Sequence, residues 1–217
     1  MKLPETAMPR IPLLPEAGLT PEQQEVYDKV FAGPRGAVVG PLRAALHSPQ
    51  LADRWQALGE YLRYRTSLGR RFSELAIIIT GRFWNSQVEW AIHSEVALRA
   101  GLGADIIEAI RCARPPSFRN PAEAAIYDYV TQLLQFGTVD GEIHKTVHAL
   151  LGTVGVVELT ALIGYYTMVA MTLNAHQLPV PDGGAQQLLE AWSGPGLQPP
   201  TPLPARIPVE AGGPEVR

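Results

Sequence analysis

The residues from Val154 to Leu173, VGVVELTALIGYYTMVAMTL, limit most strongly how this chain folds. An apolar run of about 20 residues has to be a helix, either crossing a bilayer or enclosed by protein, because a helix satisfies its own backbone without water. This run contains Glu158, the Tyr165-Tyr166 pair and several threonines, and no basic residues flank it. Those features count against a membrane span. The stretch therefore predicts a helix that is hydrophobic on all sides, buried in the core and in an interface between subunits, with no membrane partner.

Elsewhere apolar residues recur at three- and four-residue spacing and no alternating, strand-like run occurs, so the fold class is all-α. Caps and breakers place the helices. Thr20-Pro21 opens one that runs to about Phe31, and Ser48-Pro49 opens another to about Tyr64. A third starts at or just before Ser73-Glu74 and ends near Trp84; a fourth starts at Asn85 or Ser86 and stops at Gly101. Short helices over Asp105 to Ala113 and Gly141 to Leu151 flank a longer one from Pro121 to Phe136, and the apolar helix after Gly155 completes the set.

PEQQEVYDKV at Pro21 to Val30 and PAEAAIYDYV at Pro121 to Val130 share the pattern P-x4-[VI]-Y-D-x-V, and ALGEYL at Ala57 loosely parallels ALIGYY at Ala161. Two copies of one helical unit would leave such an echo. Residues 20–183 read as one helical domain, preceded by an extended segment over 1–19 and followed by a C-terminal segment over 184–217. From Ser193 onward proline and glycine dominate, which predicts a polyproline-like tail, either solvated or laid along a neighbouring subunit.

Eighteen Lys and Arg against 21 Asp and Glu give a net charge of -3, so the chain has no basic excess with which to bind nucleic acid. Cys112 is the single cysteine, which excludes an internal disulfide, a CxxC redox pair and a Cys-rich zinc site. The opening MKLPETAMPRIPLLPEAG carries four prolines and no apolar run long enough for a signal-peptide core, so a cytoplasmic location is expected.

Side chains able to do chemistry gather between Glu74 and His93, in ELAIIITGRFWNSQVEWAIH. On a helix starting near Asn85, Ser86, Glu89 and His93 fall at i, i+3 and i+7 and share one face, with Trp90 beside it. Glu74 precedes Ser86 by twelve residues. It reaches that face only if the two helices pack antiparallel, as a short connection requires. A carboxylate beside an imidazole in apolar surroundings fixes the tautomer and moves the pKa, which makes a proton-transfer pair. His144 and His148 form H-x3-H but have no third ligand nearby, and read as surface or interface histidines.

The pattern E-x11-S-x2-E-x3-H resembles the motif of the carboxymuconolactone decarboxylase and alkyl hydroperoxidase D-like superfamily, whose peroxidase members carry E-x11-C-x2-C-x3-H. Glu74 and His93 stand at the proton-relay positions, and Ser86 and Glu89 at the two cysteine positions. ELAII, the run Arg82-Phe83-Trp84-Asn85 and ELTALIGYYTMVAMTLNA extend the resemblance over roughly Pro21 to Gly183. It implies an all-helical bundle, often internally duplicated, that assembles as trimers or hexamers. Disulfide exchange and peroxide reduction need a thiolate, which neither Ser86 nor Glu89 supplies, and Cys112 has no partner thiol. Thiol peroxidase activity is therefore not expected.

The decarboxylase branch, by the same resemblance, removes a carboxyl group from an unsaturated lactone acid with no cofactor and no metal. On this chain it implies His93 as proton donor, Glu74 as its orienting partner and Arg82 as the holder of the substrate carboxylate. Trp84 and Trp90 would wall the pocket, with Asn85, Ser86 and Tyr165 as further substrate contacts. Glu89 is left as either a base or a neutral wall. Two alternatives stand beside this reading: a metal-dependent enzyme using Glu74, Glu89 and His93 as ligands, and a non-catalytic binding or assembly protein.

Overall fold

Helix starts follow the caps and prolines closely. In the computed structural model, which describes residues 9–14, 18–180 and 200–208, α1 (Pro21–Ala32) opens with a capping box. The Thr20 hydroxyl accepts from the Gln23 amide while the Gln23 side chain accepts from the Thr20 amide, so two otherwise unpaired donors are satisfied. A short helix without a strong sequence signal, α2 (Pro41–Ala45), follows, and then α3 (Pro49–Tyr64), which again begins on proline. α4 (Arg70–Phe83) and α5 (Gln87–Arg99) are joined by three residues, and α6 (Ala104–Arg111) follows. α7 (Pro121–Phe136) is capped by Asn120 and ends on Gly137 in the left-handed region.

The last helix, α8 (Gly141–His176), contains a break at Gly152, whose φ of 68° and ψ of 177° are not helical. The expected boundary after Leu151 is thus present. The described residues form an all-α bundle, with one isolated bridge between Ser117 and Ile207 and no strand. The two halves of the sequence echo, in α1 and α7, bury matching positions: Val26 and Val30 in one, Ile126 and Val130 in the other. Their surroundings differ, since α1 packs on α3 while α7 packs on α4 and α8.

The helix enclosed on all sides is α4, not the apolar stretch at the end. Every residue from Ser73 to Phe83 is buried, with α5, α7 and α8 packed around them. α8 has one buried face, carrying Leu159, Leu162, Ile163, Tyr166 and Val169, and one open face. Leu150, Val154, Val157, Ala161 and Gly164 lie exposed along it at three- and four-residue spacing, with Met171 seven residues further on, Val154 and Val157 at 64% and 63%. Within one chain the helix is buried on one face only; the interface between subunits that the sequence predicts would fall on the open face, and an all-apolar helix has no polar stripe to mark which side that is. Glu158, the charge inside the stretch, is buried and accepts from the Tyr61 hydroxyl at 2.5 Å and from the Ser67 amide and hydroxyl at 2.8 and 2.7 Å.

The part of the C-terminal tail among the described residues, 200–208, is extended and lies on its own chain. The Thr201 amide donates to the Phe83 carbonyl, the Tyr127 hydroxyl to the Pro204 carbonyl, and Arg206 pairs with Asp128 at 2.9 Å. Thr201 and Leu203 are buried. Residues 181–199 and 209–217 lie outside the described residues.

Candidate active site

A three-residue turn folds α5 back along α4. Asn85 takes a φ of 52°, in the left-handed region that asparagine tolerates better than most residues, and the Ser86 amide returns to the Gly81 carbonyl at 2.8 Å. The resulting antiparallel pair brings residues that sum to about the same register into contact. Glu74 thereby meets His93, with Nδ1 and Oε2 2.7 Å apart, and Glu89 meets Gly81. A Cβ at position 81 would stand 3.2 Å from Glu89 Oε1, so the bare glycine backbone is what lets the carboxyl group lie there.

Glu74, Glu89 and His93 are all buried. Glu74 is a hydrogen-bond acceptor when ionised, so Nδ1 of His93 carries the proton toward it and Nε2 keeps a free lone pair. Arg70 approaches Glu74 from the other side at 3.7 Å. Tyr166 stands edge-on to His93, ring centres 5.0 Å apart, and continues through Tyr165 at 5.4 Å to Trp55 at 6.4 Å.

The electrostatics reverse the expected order of acids. Burial pulls the His93 pKa below its ordinary value, against the opposing pull of Glu74, so the ring is neutral at neutral pH. Burial pushes Glu89 well above the carboxylate range, so it holds a proton. Of the two, Glu89 is the group whose protonated form burial favours. Both Glu89 oxygens and the Ser86 hydroxyl are buried without a hydrogen-bond partner. Ser86 occupies the N-cap position of α5, yet its side chain makes no capping bond.

Other expected site residues go elsewhere. Arg82 is buried at the opposite end of α4, where Nε donates to the Arg111 carbonyl at 2.9 Å and Nη1 donates to Asn85 and to Thr201. Asn85 shares that cluster, accepting from the Thr201 hydroxyl at 2.7 Å. Trp84 turns to α8, its Nε1 donating to Thr167 at 3.2 Å, and Trp90 is in the hydrophobic core. Tyr165 is buried and one ring removed from His93. Among the described residues no three His, Cys, Asp or Glu side chains are placed to hold a metal, so Glu89 does not complete a ligand set with Glu74 and His93. His144 and His148 are exposed, their rings stacked at 6.3 Å.

A cavity of about 480 Å³ opens beside α5, lined by Tyr27, Val38, Arg43, Leu178 and, from α5 itself, Val88. Sequence reasoning did not place Tyr166 or Trp55 in the row of rings beside His93. Only Tyr166 carried a signal, as half of the Tyr165-Tyr166 pair in an apolar helix.

The architecture is that of the AhpD-like, peroxidase-related all-α proteins. Among solved structures, it is similar to an uncharacterized peroxidase-related protein from Silicibacter sp. TM1040, with a TM-score of 0.66 and 11% identity over 83% of this chain and 96% of that one. A peroxidase-related AhpD core protein from Ralstonia eutropha JMP134 gives a TM-score of 0.65 at 12% identity, over 80% of this chain and 93% of that one. The debrominase Bmp8 gives 0.59 at 15% identity, over 75% and 87%. No protein-family profile matches the sequence, and no curated protein matches it. These likenesses establish the fold.

Proposed function

We propose that this chain is a cofactor-independent carbon-carbon lyase of the decarboxylase type, which moves a proton onto a small, unsaturated, carboxylated acid. The observation that carries the reading is the buried face of α5, where Ser86 and Glu89 lack partners in line with a His93 that is locked to Glu74. Each buried polar group left unpaired costs about 1–3 kcal/mol. A ligand whose polar atoms meet them offsets that cost.

Carbon dioxide would leave its bonding electron pair to a conjugated carbonyl, giving an enolate near the first turn of α5. The positive end of that helix and the Ser86 hydroxyl favour such an anion. The Glu89 proton passes to carbon, and His93, with Nε2 free and Nδ1 held by Glu74, relays a replacement proton to Glu89. One acid anion and one proton become one carbon dioxide and one protonated product.

The test is carbon dioxide release from a panel of unsaturated lactone carboxylic acids. Glu74→Gln and His93→Ala should each lose about a hundred- to ten-thousand-fold, and the double variant should be little worse than either, because the two act as one unit. No release from any acid, or near-normal turnover by folded His93→Ala protein, would sink the reading.

The bare apolar face of α8 is covered by further copies of the chain in a trimer or hexamer. Its small residues Ala161 and Gly164 sit mid-stripe, where they let a second helix approach closely. Light scattering should give a multiple of 23.6 kDa; a monomer at micromolar concentration would exclude it.

A further inference from the structure

Two arginines near the Glu74–His93 pair have no carboxylate partner among the described residues. Arg35 is in the loop after α1 and Arg63 in the last turn of α3, and both are half-buried. The Nε of each is buried and has no hydrogen-bond acceptor. Comparable arginines are partnered: Arg65 by Glu60, Arg71 by Glu123, Arg111 by Glu108 and Arg206 by Asp128. Arg43 and Arg119 have no carboxylate partner among the described residues either, but neither has a buried nitrogen left unpaired. A guanidinium that has given up water normally regains its bonds from a carboxylate or phosphate.

The two arginines converge from different elements on one end of the aromatic row. Gly59 leaves the space: a Cβ there would collide with both Arg35 Nη2 and the Tyr165 hydroxyl. The positive charge of Arg63 acts on His93, Tyr165 and Tyr166, and that of Arg35 on Tyr165. Two cations without a carboxylate partner among the described residues, Arg35 bonded to the Tyr165 hydroxyl and Arg63 over the Tyr64 ring, thus act on the tyrosines that lead from Trp55 to the His93–Glu74 pair. Arg82, with its bonds already made to Asn85, Thr201 and the Arg111 carbonyl, is not available for this purpose.

We infer that Arg35 and Arg63 form the seat for the carboxylate of a small unsaturated acid, held beside Tyr165 and Tyr166 so that its reacting carbon faces Glu89 and His93. This rests on the acid-base reading above and supplies its substrate-anchoring residues.

The test is isothermal titration with 2-furoate, a small unsaturated ring acid, and with its uncharged amide, 2-furamide. The wild-type chain should bind 2-furoate about tenfold or more tightly than the amide, since a hydrogen bond to a charged group is of that order. Arg35→Gln and Arg63→Gln should each lose about tenfold for 2-furoate and leave 2-furamide unchanged. If either Gln variant does not fold, Arg35→Lys and Arg63→Lys, which keep the charge but lose the planar fork, should still weaken 2-furoate binding.

No preference for the acid in the wild type, or a preference that survives in the folded variants, overturns the inference. His93→Ala should keep the preference, which separates the two ideas: a fault in the relay shows in turnover with acid binding intact, and a fault in the anchor shows the reverse.

Discussion

The two ends of α4 each hold a buried polar cluster, and they are built on opposite terms. At the C-terminal end, Arg82 meets Asn85, Thr201 and the Arg111 carbonyl, and its donors have acceptors. Toward the N-terminal end, Glu74 and His93 satisfy one another, while further along α5, level with Gly81, the Glu89 oxygens and the Ser86 hydroxyl are enclosed with nothing to bond. A closed set of partners adds rigidity and needs no visitor. An open set costs stability in every unliganded molecule, and native proteins keep few such groups without a use. The difference separates the arginine that the sequence suggested for substrate binding from the acid to which we assign the proton transfer.

The sharpest way to break this contrast is to remove the central side chain from each cluster. His93→Ala should abolish most turnover and, by leaving the buried Glu74 oxygen without its donor, cost about 1–3 kcal/mol, whereas Arg82→Ala should strip donors from Asn85, Thr201 and the Arg111 carbonyl and cost about 3 kcal/mol while the folded fraction keeps its turnover. Denaturant melts and rate measurements on the same samples decide it; a catalytic defect in stable Arg82→Ala protein would put the carboxylate seat back at Arg82.

The next effect is in the pH dependence. Glu89 keeps its proton in the folded chain above the ordinary value of 4.5, whereas the unfolded chain releases it. The unfolded state then binds fewer protons, and stability falls with rising pH by about 1.4 kcal/mol per unit until the raised pKa is reached. Glu89→Gln removes that slope, so its melting temperature should gain on wild type as pH rises above 4.5, until the raised pKa is reached. His93 works in the opposite sense: with its folded pKa below 6.5, its contribution is full above 6.5 and is lost as pH falls toward the lowered value. A constant difference between Glu89→Gln and wild type across this range would show that Glu89 is ionised in the folded chain.

The smallest effect is a matched pair of hydroxyl deletions. Thr201→Val removes a hydroxyl that bonds both Arg82 and Asn85 and should cost about 1 kcal/mol. Ser86→Ala removes one that bonds nothing and should be within about 0.5 kcal/mol of neutral, or stabilising. Equal costs in thermal melts would mean that the Ser86 hydroxyl is satisfied.

Local signals were legible and distant ones were not. Pro21, Pro49 and Pro121 mark three helix starts to the residue, and the spacing from Glu74 to His93 predicts their contact because a short turn leaves α5 one way to pack. Arg82 misled because its partner Thr201 is 119 residues away, in a segment with no periodic pattern. Arg35 and Arg63 gave no sign for a similar reason: a loop and a helix end acquire meaning only when Gly59 lets the first one in beside Tyr165. The bare side of α8 is invisible to any reading of hydropathy, which measures what a helix could bury and not what is available to cover it.

The strap formed by residues 200–208 also imposes an order of events during synthesis. Asn85 and Thr201 are separated by 116 residues and Arg82 and Thr201 by 119, so their bonds have to wait for all the chain between them. At the usual pace of translation, about 5–20 residues per second, Arg82 spends roughly 6 to 24 s without the partner that closes its cluster. The α4–α5 hairpin is assembled from neighbours in sequence, and a stretch made more than a hundred residues later seals its far end.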